Sequence, residues 1–232
     1  MVMKLTLILA VLAVSGGGMM FAEGPLAHAI DHIGIGVADL DRGMVLISAR
    51  TGVTAVNGGV HPGRGTQNAL MSLGNGTYLE IIAPVPGGNL QGQDAELAKL
   101  TTPRPVFFAI RSNDLEATAR LLQQNGFAPT EIRPGSRKRP DGTVLAWRTF
   151  GLIGAGLEAA PFFIQWAESS PHPSTTSPAG CTLAKLEVGD KDPAGLSKLF
   201  RVLSLDIPTH PTKKPEFRAT LACPKGEVIL KP

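Results

Sequence analysis

Along this chain the spacing of apolar and polar residues switches between a period of two and a helical period, and does so repeatedly in one order. The first alternating stretch, 31–37 (DHIGIGV), places His32 and Gly34 on one side and Ile33 and Ile35 on the other, as a half-buried strand requires. Asp39-Leu40-Asp41 then opens a helical stretch to about Arg50, with Asp39 as N-cap and Gly52 as stop. Strand-like pieces follow at about 54–57, 67–73 and 77–83, and Gly74-Asn75-Gly76 forms a tight turn between the last two. The unit reads β-α-β-β-β.

The order recurs. A strand at 106–111 leads into Asn113-Asp114-Leu115-Glu116, which opens a helix to about Asn125, and Gly126 ends it. Strands at about 130–133, 144–150 and 162–166 follow, with Pro140-Asp141-Gly142 as a turn. Asp39-Leu40 and Asp114-Leu115 align with a shift of 75 residues. A third, shorter copy spans 181–232. Its strand at 183–188 precedes a helix with Pro193 at a first helical position, and strands near 217–222 and 227–230 close it. Residues 169–180 are rich in Ser, Thr and Pro and read as a linker. The expected class is therefore α+β, with two units over 30–168 and a third, left over from their pairing, after the linker.

Composition narrows the function classes. The chain is 43% hydrophobic and 18% charged, with Gly 27 and Pro 19, which suits many turns and short strands. A net charge of +3 and the lack of a basic stripe with interleaved aromatics argue against a nucleic-acid partner. Residues 1–22 carry Lys4, a greasy run from Leu5 to Val14, then Ser15 and three glycines, the layout of a secretory signal peptide. That run is too short to span a bilayer, so no stable membrane insertion is expected after processing. The expected location is periplasmic or secreted. The alternative is a cytoplasmic protein that starts at Met19 or Met20. Cys181 and Cys223 form a disulfide if the chain is exported, or are two buried thiols.

Four strings in order, DHIGIGVADLD, HPGRGTQNALMSLGNGTYLEIIAP, SRKRPDGTVLAWR, and PFFIQW with HP shortly after, resemble the glyoxalase-like branch of the vicinal oxygen chelate superfamily over most of 30–166. The resemblance implies paired units forming a curved, cupped sheet around a small-molecule pocket, often with a divalent metal. Members include lyases, isomerases, epimerases, ring-cleaving dioxygenases and proteins that only sequester a ligand, so the fold does not supply the reaction. A homodimer is compatible with it.

In this superfamily metal ligands come from the first and last strands of a unit, positions held here by His32 and Glu80. Glu80 is the one charge in an apolar strand, TYLEIIAP, and needs a partner there. A cation would serve, and zinc, iron, manganese or nickel all suit an imidazole and a carboxylate. His32 and Glu80 pairing with each other is the alternative. The second unit offers Phe107 and Gln165 at the corresponding places, so Gln165 is a weak third ligand. His61, in a flexible Gly-rich loop, or His172, in the linker, would complete the set. Without a metal, Glu80 would be a general base with its pKa raised by the apolar strand.

Candidate ligand-binding residues are His61, Arg64, Asn68 (or Gln67), Arg137, Arg148, Trp166 and His172, with Trp147 as a further wall. An arginine pointing inward would grip a carboxylate or enolate with its two-pronged fork. Two functions remain open at this stage. One is a metal-dependent lyase, isomerase or dioxygenase acting on a small oxygen-rich molecule. The other is a metal-free protein that binds such a molecule without turnover, through Phe107 and the tryptophans.

Overall fold

The structure is a computed structural model that describes residues 26, 28–90, 92–154 and 157–232. The signal-peptide reading falls on residues 1–22, outside the described ones. The first unit runs β1 (His28–Gly36), α1 (Leu40–Thr51), β2 (Val56–His61), β3 (Thr66–Ser72) and β4 (Tyr78–Pro84). A 3₁₀ helix (Gly92–Lys99) links it to the second unit: β5 (Arg104–Ser112), α2 (Leu115–Gln124), β6 (Ala128–Pro129), β7 (Arg133–Lys138), β8 (Val144–Phe150), β9 (Leu152–Ile153) and β10 (Phe162–Trp166). After a short helix α3 (Pro173–Thr176) come β11 (Thr182–Asp190), α4 (Pro193–Val202), β12 (Thr209–Pro211), β13 (Glu216–Cys223) and β14 (Gly226–Leu230).

The three helices that open the units share one device. The carboxylates of Asp39, Asp114 and Asp192 accept from the backbone N–H of Arg42, Ala117 and Gly195, at 2.8, 2.8 and 2.9 Å. Each satisfies one of the amide groups that a helix start leaves bare.

Eight strands form one sheet in the order β2-β3-β4-β1-β5-β10-β8-β7. β1 pairs parallel with β4 and antiparallel with β5, so the two units join at β1–β5. Register breaks in that pair, between Ile30 and His32 and between Gly34 and Ile35, and another between Asn57 and Gly59 in β2, add twist and curl. This mixed α+β architecture with a strongly curled sheet is the one expected.

The curl brings the outer strands β2 and β7 together. Gly59 sits there at φ 120°, where a Cβ would lie 2.3 Å from the Lys138 carbonyl oxygen. A glycine is required both by the backbone angle and by the close approach.

The two faces divide the chemistry. Ile33, Ile35, Met71, Leu79, Ile81, Phe108 and Ile110 point to the back, where α1, α2 and the third unit bury them. Phe108 meets Phe200 and Phe217 of that unit at ring distances of 6.2 and 5.7 Å. The third unit thus completes the core behind the sheet. It repeats the element order but not the strand order, because its own sheet runs β12-β11-β13-β14. Cys181 and Cys223 are joined in a disulfide that ties the start of β11 to the end of β13. Among the described residues no helix is long and apolar enough to cross a membrane.

Residues 169–180, read as a linker, fold back as a strap. The Ser170 hydroxyl bonds both the N–H and the C=O of Ala146 in β8, and Pro178 C=O accepts from Ser72 N–H in β3 at 2.8 Å.

Gly59→Ala is expected to cost about 2–3 kcal/mol of stability. Its midpoint in urea should fall at unchanged slope; a wild-type midpoint would mean that the edges do not close there.

Candidate active site

The front of the sheet lines a cup, part of a cavity of about 1250 Å³ that also reaches the 3₁₀ helix and the third unit. Alternation places His32 (β1), His61 (β2), Asn68 (β3) and Tyr78 and Glu80 (β4) on its polar side, and Phe107, Phe162, Trp166, Trp147 and Arg137 on the other. His61 ends β2 and pairs with Thr66 across the hairpin, so it is held in the sheet where the glycines had suggested a flexible loop.

Asp31 organises the floor of the cup and is fully buried. One carboxylate oxygen accepts from Nδ1 of His32 at 2.7 Å. The other accepts from the Trp166 indole at 3.1 Å and bonds Nε2 of His172 at 3.0 Å, with Arg111 Nη1 at 3.9 Å. The strap therefore brings His172 beneath the site, its ring edge against Tyr78 and Trp166, and not to the pocket rim.

With Nδ1 of His32 committed to Asp31, its Nε2 faces Oε2 of Glu80 at 3.5 Å. From the other side Nε2 of His61 lies 3.4 Å from Oε1 of Glu80, while its Nδ1 bonds the Thr66 hydroxyl at 2.9 Å. The Asn68 amide donates to Oε1 of Glu80 and leaves its own Oδ1 buried without a hydrogen-bond partner. Tyr78 stacks on His32 at 4.6 Å.

Gln165 and Arg148 alternate out of the cup. Gln165 accepts from Arg148 at 2.7 Å and from Leu115 N–H at 3.3 Å, and donates to Asn113 C=O at 2.9 Å. It fastens the start of α2 to the sheet, and as a ligand to a metal in the cup it is excluded by the strand period. Arg148 also pairs with Glu116 on that outer side. Gln67 likewise turns away and donates to Pro84 C=O, which leaves Asn68 as the inward residue of the two. Arg64 stays at the rim, held by Asp94 through two bonds of 3.0 and 2.8 Å.

Arg137 does enter the cup. It is 3% exposed and its stem lies over Gly59. Its Nε has no hydrogen-bond partner, and among the described residues no carboxylate pairs with it. Burial pushes its pKa down, against the favourable charges of Glu80 and Tyr78.

The site fits a divalent cation in chemistry more than in assembly. A neutral imidazole that donates through Nδ1 presents a lone pair at Nε2, and a lone pair facing a carboxylate needs a proton or a cation between them. Separations of 3.4 and 3.5 Å are long for a hydrogen bond. They match the roughly 3.4 Å chord between two tetrahedral ligands at about 2.1 Å from a metal. Yet among the described residues no group of three or more His, Cys, Asp or Glu side chains is placed to hold a metal ion. At the places that match His32 and Glu80 the second unit presents Phe107 and Ile164, and its carboxylates on the lining, Glu131 and Glu158, are exposed.

Sequence reasoning passed over Asp31 as the first residue of a strand. The signal was there: a charge beside a histidine at the head of a buried strand, the same signal that picks out Glu80.

A glyoxalase-like domain model matches residues 30–203, most of the chain, and the chain belongs to that family. Its fold is that of the vicinal oxygen chelate superfamily. A hypothetical protein from Staphylococcus aureus superposes with a TM-score of 0.61 at 18% identity, covering 89% of this chain and 85% of that one. Methylmalonyl-CoA epimerase from Mycobacterium tuberculosis gives 0.45 at 22% identity, covering 60% of this chain and 87% of its own. At such identities the first likeness is one of fold, and the second overlap is partial. No curated protein matches the chain.

Both buried carboxylates titrate below their ordinary range, although burial pushes each upward. Hydrogen bonds and charge from His172 and His32 outweigh it at Asp31. At Glu80 the close approach of His61 and the charges of His61, His32 and Arg137 do so. The expected rise at Glu80 is thus reversed, which makes it a poor base and a good anion.

A depressed folded pKa gives stability that is complete above the unfolded values of about 4 and is lost as pH falls through the folded value. The melting temperature should hold from neutral pH to about 5 and drop below about 4. Asp31→Asn should cost about 3 kcal/mol at pH 7 and show a shallower acid fall, followed by circular dichroism. Parallel acid curves for the two proteins would remove Asp31 from this role.

Proposed function

We propose that the cup binds a small organic acid, with its carboxylate on Arg137 and the rest of the molecule beside His32 and His61. The observation that carries this reading is Arg137. A guanidinium is seldom buried without an anion, because leaving its charge unpaired costs several kcal/mol. This one lines the cup with unused donors. The planar fork suits a carboxylate or enolate.

Asp31 commits Nδ1 of His32 and leaves Nε2 to exchange a proton with the bound acid. That supports lyase or isomerase chemistry beside the carboxylate rather than sequestration alone. The Cys181–Cys223 disulfide supports work in an oxidising compartment, the periplasm or outside the cell.

Arg137→Met keeps the apolar stem and removes the fork. It should weaken carboxylate binding by about 30-fold or more without lowering the melting temperature, as read by calorimetric titration with 2-oxo acids. Equal affinity in the two proteins would refute the assignment.

A second reading adds a divalent cation, and the 3.5 Å between Nε2 of His32 and Oε2 of Glu80 favours it. His32 and Glu80 would grip the ion, and the oxygens of the bound acid would fill its remaining positions. As a Lewis acid it would polarise the oxygens of the acid. Untagged protein purified without chelators should then carry close to one equivalent of zinc, iron, manganese or nickel by elemental analysis, and His32→Ala should lose it. Negligible metal, with a melting temperature indifferent to added ions, would sink this second reading and leave Arg137 untouched.

A further inference from the structure

The two halves of the cup are chemically unlike. The first unit lines it with His32, His61, Tyr78 and Glu80. The second lines it with rings: Phe107 and Phe162 at 5.7 Å, and Trp147 and Trp166 at 5.4 Å, each pair inclined by about 60°. All four rings are only partly buried, whereas Phe108, Phe150, Phe163, Phe200 and Phe217 are spent in the core behind the sheet.

Backbone is cleared to lay two of these rings down. A Cβ on Gly34 would stand 2.3 Å from the Phe107 ring, and one on Gly135 would stand 2.4 Å from Nε1 of Trp147. Each glycine lets a ring lie flat against a neighbouring strand. Arg137 follows Gly135 by two residues in β7, on the same face. Partly exposed aromatic rings in a concavity are unspent apolar surface, and ring faces favour flat partners in stacked or edge-on contact.

We infer that the ligand is an aromatic carboxylic acid. Its ring lies against Phe107, Phe162, Trp147 and Trp166, and its carboxylate reaches Arg137. This rests on the organic-acid reading above and narrows its substrate class.

Trp147 and Trp166 are the only tryptophans of the chain, and both line the cup, so intrinsic fluorescence reports its occupancy. Three probes separate the contributions: phenylacetate carries ring and charge, acetate the charge alone, and phenylacetamide the ring alone. Phenylacetate should bind at least about tenfold more tightly than either of the others. In Phe107→Leu and Phe162→Leu, which keep apolar volume and so preserve the fold, its advantage over acetate should shrink about threefold or more, with acetate unchanged.

Acetate binding as tightly as phenylacetate would overturn the aromatic inference and leave the carboxylate reading standing. Phenylacetamide equalling phenylacetate would overturn the carboxylate and keep the ring slot. No response to any of the three would overturn both. A preference that survives both leucine variants would refute the assignment to these rings.

Discussion

Asp31 carries one negative charge into a place closed to solvent, and three separate stretches of chain converge to satisfy it. His32 comes from the same strand, Trp166 from the last strand of the second unit, and His172 from the strap. A buried carboxylate tolerates no loose partner, because each lost bond leaves a charge uncompensated in a medium of low polarity. One interaction therefore sets the orientation of the His32 imidazole, closes the floor of the cup and fastens 169–180 across it. Glu80, His61 and Asn68 are arranged around the nitrogen that this leaves facing inward.

Repetition of one unit explains the frame, and the unlike residues on the two copies explain the site. Two βαβββ units paired through β1 and β5 make a symmetrical curl. The residues that face into it are not symmetrical at all. Where the first unit offers His32, the second offers Phe107, and where the first offers Glu80, the second offers Ile164 and Trp166. A polar wall against an aromatic wall is a poor arrangement for holding a cation between the halves. It is a good one for an amphiphilic guest with oxygens at one end. Arg137, at the seam where β7 meets β2, supplies the missing positive charge.

The third unit shows how element order and packing part company. It opens with strand and capped helix as the other two do, but its strands assemble in a different order and its apolar face joins the common core behind the main sheet. It thereby buries Phe108 and the helix-facing sides of β1 and β5, and lends Lys214 to Phe217 to the outer reach of the cup. Curvature of the front and coverage of the back are thus separate tasks, done by different parts of one chain.

Much of this was legible in the residue pattern. The repeat gave the βαβββ units and Asp39 as a cap, because strand period and helix capping are local and each residue carries its own evidence, while the resemblance to a known superfamily placed His32 and Glu80 in a shared cup. Asn68 against Gln67, Arg137 against Arg148, and the fates of Gln165 and His172 were not legible. A one-residue change of register reverses the face of a strand residue, and register is settled only when strands pair. Sequence alone determined which side chains had chemistry to offer and roughly on which elements they sit. Tertiary structure decided which of them meet, because the closing of β2 on β7, the return of the strap to Asp31 and the packing of the third unit all join residues far apart in the chain.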